Sequence, residues 1–312
     1  MRLRPLGKTG LLVSPLGLGA AEIGFAGMAQ PAATELLHFA IDHGINVIDT
    51  AAVYETSEER IGNALGPRRR QCVLASKCGW AAEGKSSPAS WTEENIRRSI
   101  DRSLVRLRTD HIDVMLLHSC DRPVLERGEA LAALRKAQEA GKVRFIGYSG
   151  DGETAEFACR LTEVSVIETS INICDQANIE TVLPAAREAD VGVLAKRSLA
   201  NGAWRRLEEF PPAYREFYRE YIRPYADRFQ AMGIKLAEWG ATEMRWAEVA
   251  LRFVLAQPGV HVALAGSASL EHLFDNLQAA RRGPLPKEMV DRLRQVFSQA
   301  ESRSGEKWGA LR

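Results

Sequence analysis

The 312-residue sequence predicts an α/β fold of the (β/α)8 TIM-barrel class, with an N-terminal β-hairpin and an extra C-terminal helix. Three observations predict it. Short apolar runs recur eight times, each followed by a helical stretch. The runs are continuously apolar, as strands buried on both faces should be. The competing doubly wound sheet would want Gly-x-Gly-x-x-Gly after its first strand, and Glu22 stands in the third glycine's place after Gly17 and Gly19.

The elements follow in order. Residues 1–14 read as a hairpin whose alternating arms flank the turn-rich Gly7-Lys8-Thr9-Gly10. Strands are expected at 16–20, 46–51, 72–77, 112–118, 143–149, 166–171, 192–197 and 262–266. Helices are expected at 34–43, ended by Gly44, and from Ser57, closed by Gly66. Thr92 opens another, with Glu93 and Glu94 in the first turn, where the helix dipole favours acids. Further helices are expected at 127–140, 153–162, 178–190, 243–256 and 270–282. A helix at 286–300 and a tail at 301–312 lie outside the repeat. So does 200–240, an insertion between the seventh strand and its helix, which a barrel would place over the mouth. The chain 1–312 reads as a single barrel domain.

Composition narrows the function. Apolar residues make up 46% and charged residues 26%, the balance of a water-soluble globular chain. A net charge of +1 supplies no field for nucleic acid or an anionic membrane. The run Arg68-Arg69-Arg70 follows a Gly-Pro turn and reads as a solvated loop. Five cysteines show no Cys-x-x-Cys pair and no zinc spacing, so reduced, mostly buried thiols in a cytoplasmic protein are expected, and no metal site. No signal-like or membrane-length apolar segment is present in the sequence.

Asp49 and Tyr54 follow the second barrel run, Lys77 ends the third and His118 ends the fourth. The ends of consecutive parallel strands open into one mouth, so an acid, a phenol, an amine and an imidazole converge there. That set can move a proton. Reducing a carbonyl needs hydride at carbon and a proton at oxygen, and no side chain supplies hydride, so a nicotinamide or flavin is implied. A free tyrosine has a pKa of about 10. A neighbouring ammonium is expected to lower it by about two to three pH units, worth roughly 3–4 kcal/mol. A close charge at an effective dielectric near 20 is worth about that much. Asp49 would keep Lys77 charged and aimed, and His118 would hold the substrate carbonyl. Taken singly, each residue also has a bland reading, from turn former to core histidine.

The residues also resemble a known family. GINVIDTAAVYETSEERIGNAL resembles the aldo-keto reductase signature, in which Asp and Tyr stand five apart and a Ser-Glu pair starts the next helix. Ser76-Lys77 and Leu117-His118 match its next landmarks, GKVRFIGYSG its fifth-strand motif and VALAGSASLEHLFDNLQAA its cofactor-phosphate motif. The opening LGKTGLLVSPLGLGA matches as well, so the resemblance spans nearly the whole chain. It implies Tyr54 as general acid, Lys77 and Asp49 tuning it, and His118 orienting the carbonyl. It implies NADP(H), with NAD(H) as the alternative, extended across the barrel mouth. The implied cofactor positions are Gly19, Ala20 and Asp49, then Ser149, Gly150 and Glu168 near the carboxamide. Leu199 and its neighbours would lie over the pyrophosphate. Gly266, Ser267, Ser269, His272 and Asn276 would surround the adenosine end. A small carbonyl compound is the implied partner, without nucleic acid or membrane.

The sequence departs from the family's usual pattern at several places. Glu55 stands where Gly is usual, Gly150 where Asn is, and Glu168 where Gln is. A Glu can accept from a carboxamide but cannot donate to it. Lys196 stands where an aromatic often stacks on the nicotinamide. From charge alone, Lys196 and Arg197 are either phosphate contacts or two surface cations. His272 stands where Arg often pairs with a 2′-phosphate. In the insertion, Tyr214, Tyr218, Tyr221 and Tyr225 share one helical face, either a packing stripe or an aromatic lid. Two other functions remain open at this point: a lyase with a Schiff base on Lys77, and a regulatory protein that holds NADP(H) without turnover.

Overall fold

Successive side chains of a strand point to opposite faces, and this period of two sorts the apolar runs into two layers. The computed structural model describes residues 1–25, 27–81, 89–210, 217–239 and 241–311, with only the backbone of 217–219. Strands β1 (Arg4–Pro5) and β2 (Leu12–Val13) pair antiparallel as the expected hairpin. Eight parallel strands then close a barrel: β3 (Leu16–Gly19), β4 (Val47–Asp49), β5 (Val73–Cys78), β6 (Ile112–His118), β7 (Val143–Ser149), β8 (Val164–Ser170), β9 (Gly192–Lys196) and β10 (Val262–Gly266). The last strand pairs with both β3 and β9, which completes the ring.

Val47, Val73, Ala75, Val114, Leu116 and Val166 fill the barrel lumen. Their alternates, among them Ile48, Leu74, Met115 and Ile167, pack outward under the helices. Both faces are therefore apolar, which is why the strands read as unbroken runs. Leu6, Leu11 and Val13 of the hairpin join the lumen cluster and plug its lower end. The plug fits closely. Lys8 N–H donates to Asp190 O at 2.7 Å, and a Cβ on Gly192 would lie 2.6 Å from Leu6 Cγ.

Strands β6, β7 and β10 occupy the expected residues, and β8 begins two residues early. The helix expected at 127–140 is two helices, Arg122–Arg127 and Glu129–Glu139, because Gly128 between them adopts a left-handed φ of 72°. The helix expected at 178–190 divides at Thr181 into Ala177–Glu180 and Val182–Glu188. The 34–43 helix starts earlier, at Gln30, with proline in its first turn. Thr92 caps as expected, its hydroxyl accepting from Asn95 N–H. A short helix, Ala21–Phe25, follows β3 where none was expected.

The 200–240 segment holds short 3-10 turns and the helix Phe217–Met232. Met232 packs with Phe297, Ala300 and Trp308 of the C-terminal region. The last helix, Lys287–Ser304, runs four residues past its expected end, so the tail begins later than 301. Tyr214, Arg215 and Glu216, and the side chain of Tyr218, lie outside the described residues. The remaining tyrosines of the expected stripe differ sharply: Tyr225 is 1% exposed and Tyr221 41%. Among the described residues all five cysteines are free and buried, and no helix is long and apolar enough to cross a membrane. No group of His, Cys, Asp and Glu suited to a metal occurs among them.

Candidate active site

The parity that places Val47, Ala75, Leu116 and Val166 in the lumen carries two residues further along each strand. It aims Asp49, Lys77, His118 and Glu168 into the mouth from β4, β5, β6 and β8. Register fixes their steps: Asp49 pairs with Ala75, two residues before Lys77; Lys77 pairs with Leu116, two before His118; and His118, Ser149 and Glu168 lie in one row across β6, β7 and β8.

Lys77 is the hub. Its Nζ donates to Asp49 Oδ1 at 2.8 Å, Asp49 Oδ2 at 2.7 Å and Thr50 O at 3.0 Å. Glu168 Oε2 lies 3.2 Å away. Lys77 is 1% exposed, Asp49 4% and Glu168 2%. Burial works against the Lys77 charge, but the carboxylates of Asp49 and Glu168 outweigh it and hold the amine above its usual value. Asp49 is raised well above the usual carboxylate range, first by burial and then by the negative charge of Glu168, against the pull of Lys77.

Tyr54 hangs in the loop after β4. Lys77 Nζ lies 5.1 Å from the centre of its ring. The His118 ring meets it edge-on at 6.0 Å, and Phe25 flanks it at 5.6 Å. The loop is well tied. Tyr54 N–H donates to Ala51 O at 3.0 Å and Ser57 N–H to Tyr54 O at 2.9 Å. Ser57 Oγ donates to Ala20 O at 2.7 Å and pairs with Thr50 Oγ1 at 2.9 Å. Behind Lys77, Ser76 Oγ donates to the buried Glu58 at 2.7 Å.

One expectation reverses here. The phenol is not made more acidic: burial pushes Tyr54 up to about 12, beyond what Lys77 pulls down, and the charges of Asp49 and Glu168 add to the rise. The sequence reasoning counted the cation and left out burial and the second carboxylate. His118 is held well below its usual value, by burial first and then by the charge of Lys77, so its imidazole is neutral at pH 7. The site thus presents a protonated phenol and a neutral imidazole side by side.

The cofactor candidates ring the same mouth. Ser149, 1% exposed, donates from Oγ to Glu168 Oε1 at 3.3 Å. Gly150 N–H donates to Glu168 O at 3.0 Å, and a Cβ there would meet the Tyr148 hydroxyl at 2.4 Å. Tyr148 in turn donates to Cys120 O at 2.8 Å, so it is fixed, and asparagine would not fit at 150. Gly19 and Gly266 are paired across β3 and β10, and Ala20 N–H donates to Asp49 O at 2.8 Å. Ser267 and Ser269 turn the chain into the helix Leu270–Arg281, whose first turn Ser269 caps by accepting from His272 N–H. His272 is exposed, and Asn276 is buried one turn further on.

The two cations at the end of β9 are engaged elsewhere. Lys196 Nζ lies 3.1 Å from Asp151 Oδ2. Arg197 donates to Ser170 Oγ at 3.2 Å, the Tyr225 hydroxyl at 3.2 Å and Leu311 O at 2.8 Å. Leu199 leads into the turn Ala200–Gly202. Glu55 is exposed with a φ of 44°, the left-handed region that explains why glycine suits this position.

Sequence reasoning missed two carboxylates. Asp151 anchors Lys196 and accepts from Ser170 N–H at 2.6 Å. Glu22 packs against Gly266, where a Cβ would lie 2.3 Å from its Oε2, and burial pushes its carboxyl up to about 7. Glu22 was noticed only as a missing glycine. No signal in the sequence marked it, because no helix was expected after β3.

A parallel eight-stranded barrel with a Tyr–Lys–Asp–His group at its mouth defines a class of barrel oxidoreductase. The chain belongs to the aldo/keto reductase family, whose family model matches residues 15–297. An L-galactose dehydrogenase from Arabidopsis thaliana is 28% identical over 293 residues, 89% of this chain and 88% of that one. Among solved structures, the holo form of an aldo-keto reductase from Bacillus halodurans superposes with a TM-score of 0.77 at 25% identity, over 95% of this chain and 96% of that chain. An aldo/keto reductase from Klebsiella pneumoniae in complex with NADP and acetate gives a TM-score of 0.73 at 25% identity, over 95% of each chain.

Proposed function

We propose that this protein interconverts aldehydes or ketones with alcohols using NADP(H), with Tyr54 as general acid, and that residues 1–312 form one barrel unit for that purpose. The observation that carries the reading is Lys77, fully enclosed and bound to Asp49 at 2.7 Å, with its charge 5.1 Å from the Tyr54 ring. The bound cofactor of the Klebsiella pneumoniae relative supports NADP(H).

The mouth fits the nicotinamide end of such a cofactor. Lys77 has three hydrogens, and Asp49 and Thr50 take them. Glu168 Oε2 is therefore buried with no hydrogen-bond partner, an acceptor suited to a carboxamide NH2, next to Ser149. At the other end, Ser267 and Ser269 precede a helix N-terminus, which favours phosphate. When bound, the reduced nicotinamide supplies hydride for the carbonyl carbon.

The chain's own residues handle the oxygen. Neutral His118 and protonated Tyr54 both have an N–H or O–H to offer a carbonyl oxygen at the mouth. Tyr54 gives up its proton as the oxygen gains charge, and Lys77 stabilises the phenolate that remains. Asp49 keeps Lys77 charged and in place. The same geometry weighs against a Schiff-base lyase, since an ammonium with three acceptors is a poor nucleophile.

The direct experiment measures NADPH oxidation across aldehydes, ketones, sugars and quinones. Turnover of at least one carbonyl class supports the reading. Tight NADPH binding with no turnover across the panel would point to a regulatory binding protein instead.

A further inference from the structure

Two buried carboxylates face one buried ammonium at the barrel mouth, one more than charge balance requires. Asp49 alone satisfies Lys77 geometrically, with both oxygens within 2.8 Å of Nζ. Glu168 approaches from the opposite wall, on β8, and its Oε2 stops 3.2 Å from Nζ without a hydrogen-bond partner. Its other oxygen takes the Ser149 hydroxyl at 3.3 Å, a bond a glutamine could also accept. What the glutamate adds at this position is its charge. The side chain is 2% exposed, so water does little to screen a charge there.

We propose that Glu168 is a positioning residue for the reaction: acting through Lys77 as a second counter-ion, it takes the ammonium's field off Tyr54 and so keeps the phenol in its proton-donating form. The inference rests on the reading of Tyr54 as general acid and deepens it. Reduction moves hydride to the carbonyl carbon, shifts the C=O pair to oxygen, and passes the phenol proton to that oxygen. Tyr54 then recovers a proton from solvent. Alcohol oxidation runs these steps backward and needs the phenolate, so Glu168 sets the pH at which oxidation becomes efficient.

The charged and titratable groups around the phenol are Asp49 from β4, Lys77 from β5, His118 from β6 and Glu168 from β8. Lys196 and Arg197, at the end of β9, act on the neighbouring His118. Lys196 is paired with Asp151, and Arg197 is bound to Ser170, Tyr225 and the Leu311 carbonyl. Neither carries a contact that would replace Glu168 on Lys77 among the described residues.

The test places difluorotyrosine at position 54 of the full cofactor-free chain, where its more acidic phenol titrates while the protein stays folded. Fluorine NMR reads the midpoint in the parent, in Glu168→Gln and in Glu168→Asp. Losing the charge should lower the midpoint by about one pH unit in Glu168→Gln. Glu168→Asp, which keeps the charge but retracts it, should fall between. In the natural-tyrosine enzymes, the pH profile of NADP-linked alcohol oxidation, read at saturating NADP, should move down by the same amount. A purely structural role would lower the melting temperature and leave both midpoints unmoved, and that result overturns the proposal. Should Glu168→Gln fail to fold, an unshifted midpoint in Glu168→Asp overturns it equally. Absence of any carbonyl turnover in the natural enzyme would sink the reductase reading, while the fluorine midpoint would still report on Glu168.

Discussion

The carbonyl of Tyr54 rests directly on the backbone of Gly24: a Cβ at Gly24 would lie 2.1 Å from Tyr54 O and 3.2 Å from Ser57 N. No side chain fits between the short helix after β3 and the loop that carries the phenol. Gly24→Ala must therefore push the Tyr54 loop outward. The expected result is a turnover loss on the order of 10²-fold, the usual effect of a displacement near 1 Å. Overpacking should cost about 1–3 kcal/mol of stability. Steady-state kinetics with urea unfolding checks both, and wild-type turnover would show that the loop is not held this way.

Lys77→Met leaves Asp49 and Glu168 buried together with no cation. Breaking a buried pair this way costs about 3–5 kcal/mol. The cost should depend on pH with a definite sign. Asp49 already stands well above the usual carboxylate range because of burial and Glu168, and losing Lys77 raises it further. The folded variant then holds protons that the unfolded chain has lost, so its stability falls as pH rises from 5 to 8. Equal losses at pH 5 and pH 8 would contradict the buried trio.

Glu22 and Asp175 give the natural protein a pH dependence of its own. Burial pushes each carboxyl up to about 7. Below about pH 4 both are protonated, folded or unfolded, and stability is full. Between there and pH 7 only the folded chain holds the protons, so stability declines and then levels off. Glu22→Gln should remove part of that decline. It should also flatten any loss of NADPH affinity above pH 7, since the ionised carboxylate packs on Gly266. Thermal melts and cofactor titrations from pH 5 to 8.5 test both, and parallel curves for variant and parent would refute the assignment.

Arg197 ties the C-terminal tail to the insertion through Leu311 O and the Tyr225 hydroxyl. Asp175 accepts from Leu311 N–H at 3.0 Å, and Arg228 donates to Gly309 O at 2.8 Å, which completes the clamp. Arg197→Ala should raise amide exchange most at residues 310–311, next to the carbonyl it holds, while Trp308 stays bonded to Glu301 and packed on Phe297. NADPH affinity should hold. A loss of affinity without faster exchange would mark Arg197 as a phosphate contact.

The barrel was legible in the sequence because strands buried on both faces leave an unbroken apolar run and helices end at glycines. Asp49, Lys77 and His118 were legible because each ends such a run, and parity along the strand then aims it into the lumen. Glu168 could have been read the same way, two residues beyond Val166, but its closeness to Lys77 depends on how β8 faces β5 across the closed barrel. The direction of the Tyr54 shift was hidden for the same reason. It needs the depth of burial and the count of carboxylates around one ammonium, and neither is local in sequence. The tail clamp joins residues 175, 197, 225 and 311, which no periodic pattern links.

The central claim is that Tyr54 delivers the proton. Tyr54→Phe keeps the ring against Phe25 and His118 and removes only the hydroxyl. Carbonyl reduction should fall by about 10²–10⁴-fold, the usual weight of a positioned acid, while NADPH binding measured by fluorescence titration is nearly unchanged. An unaltered turnover number in Tyr54→Phe would show that the proton comes from somewhere else.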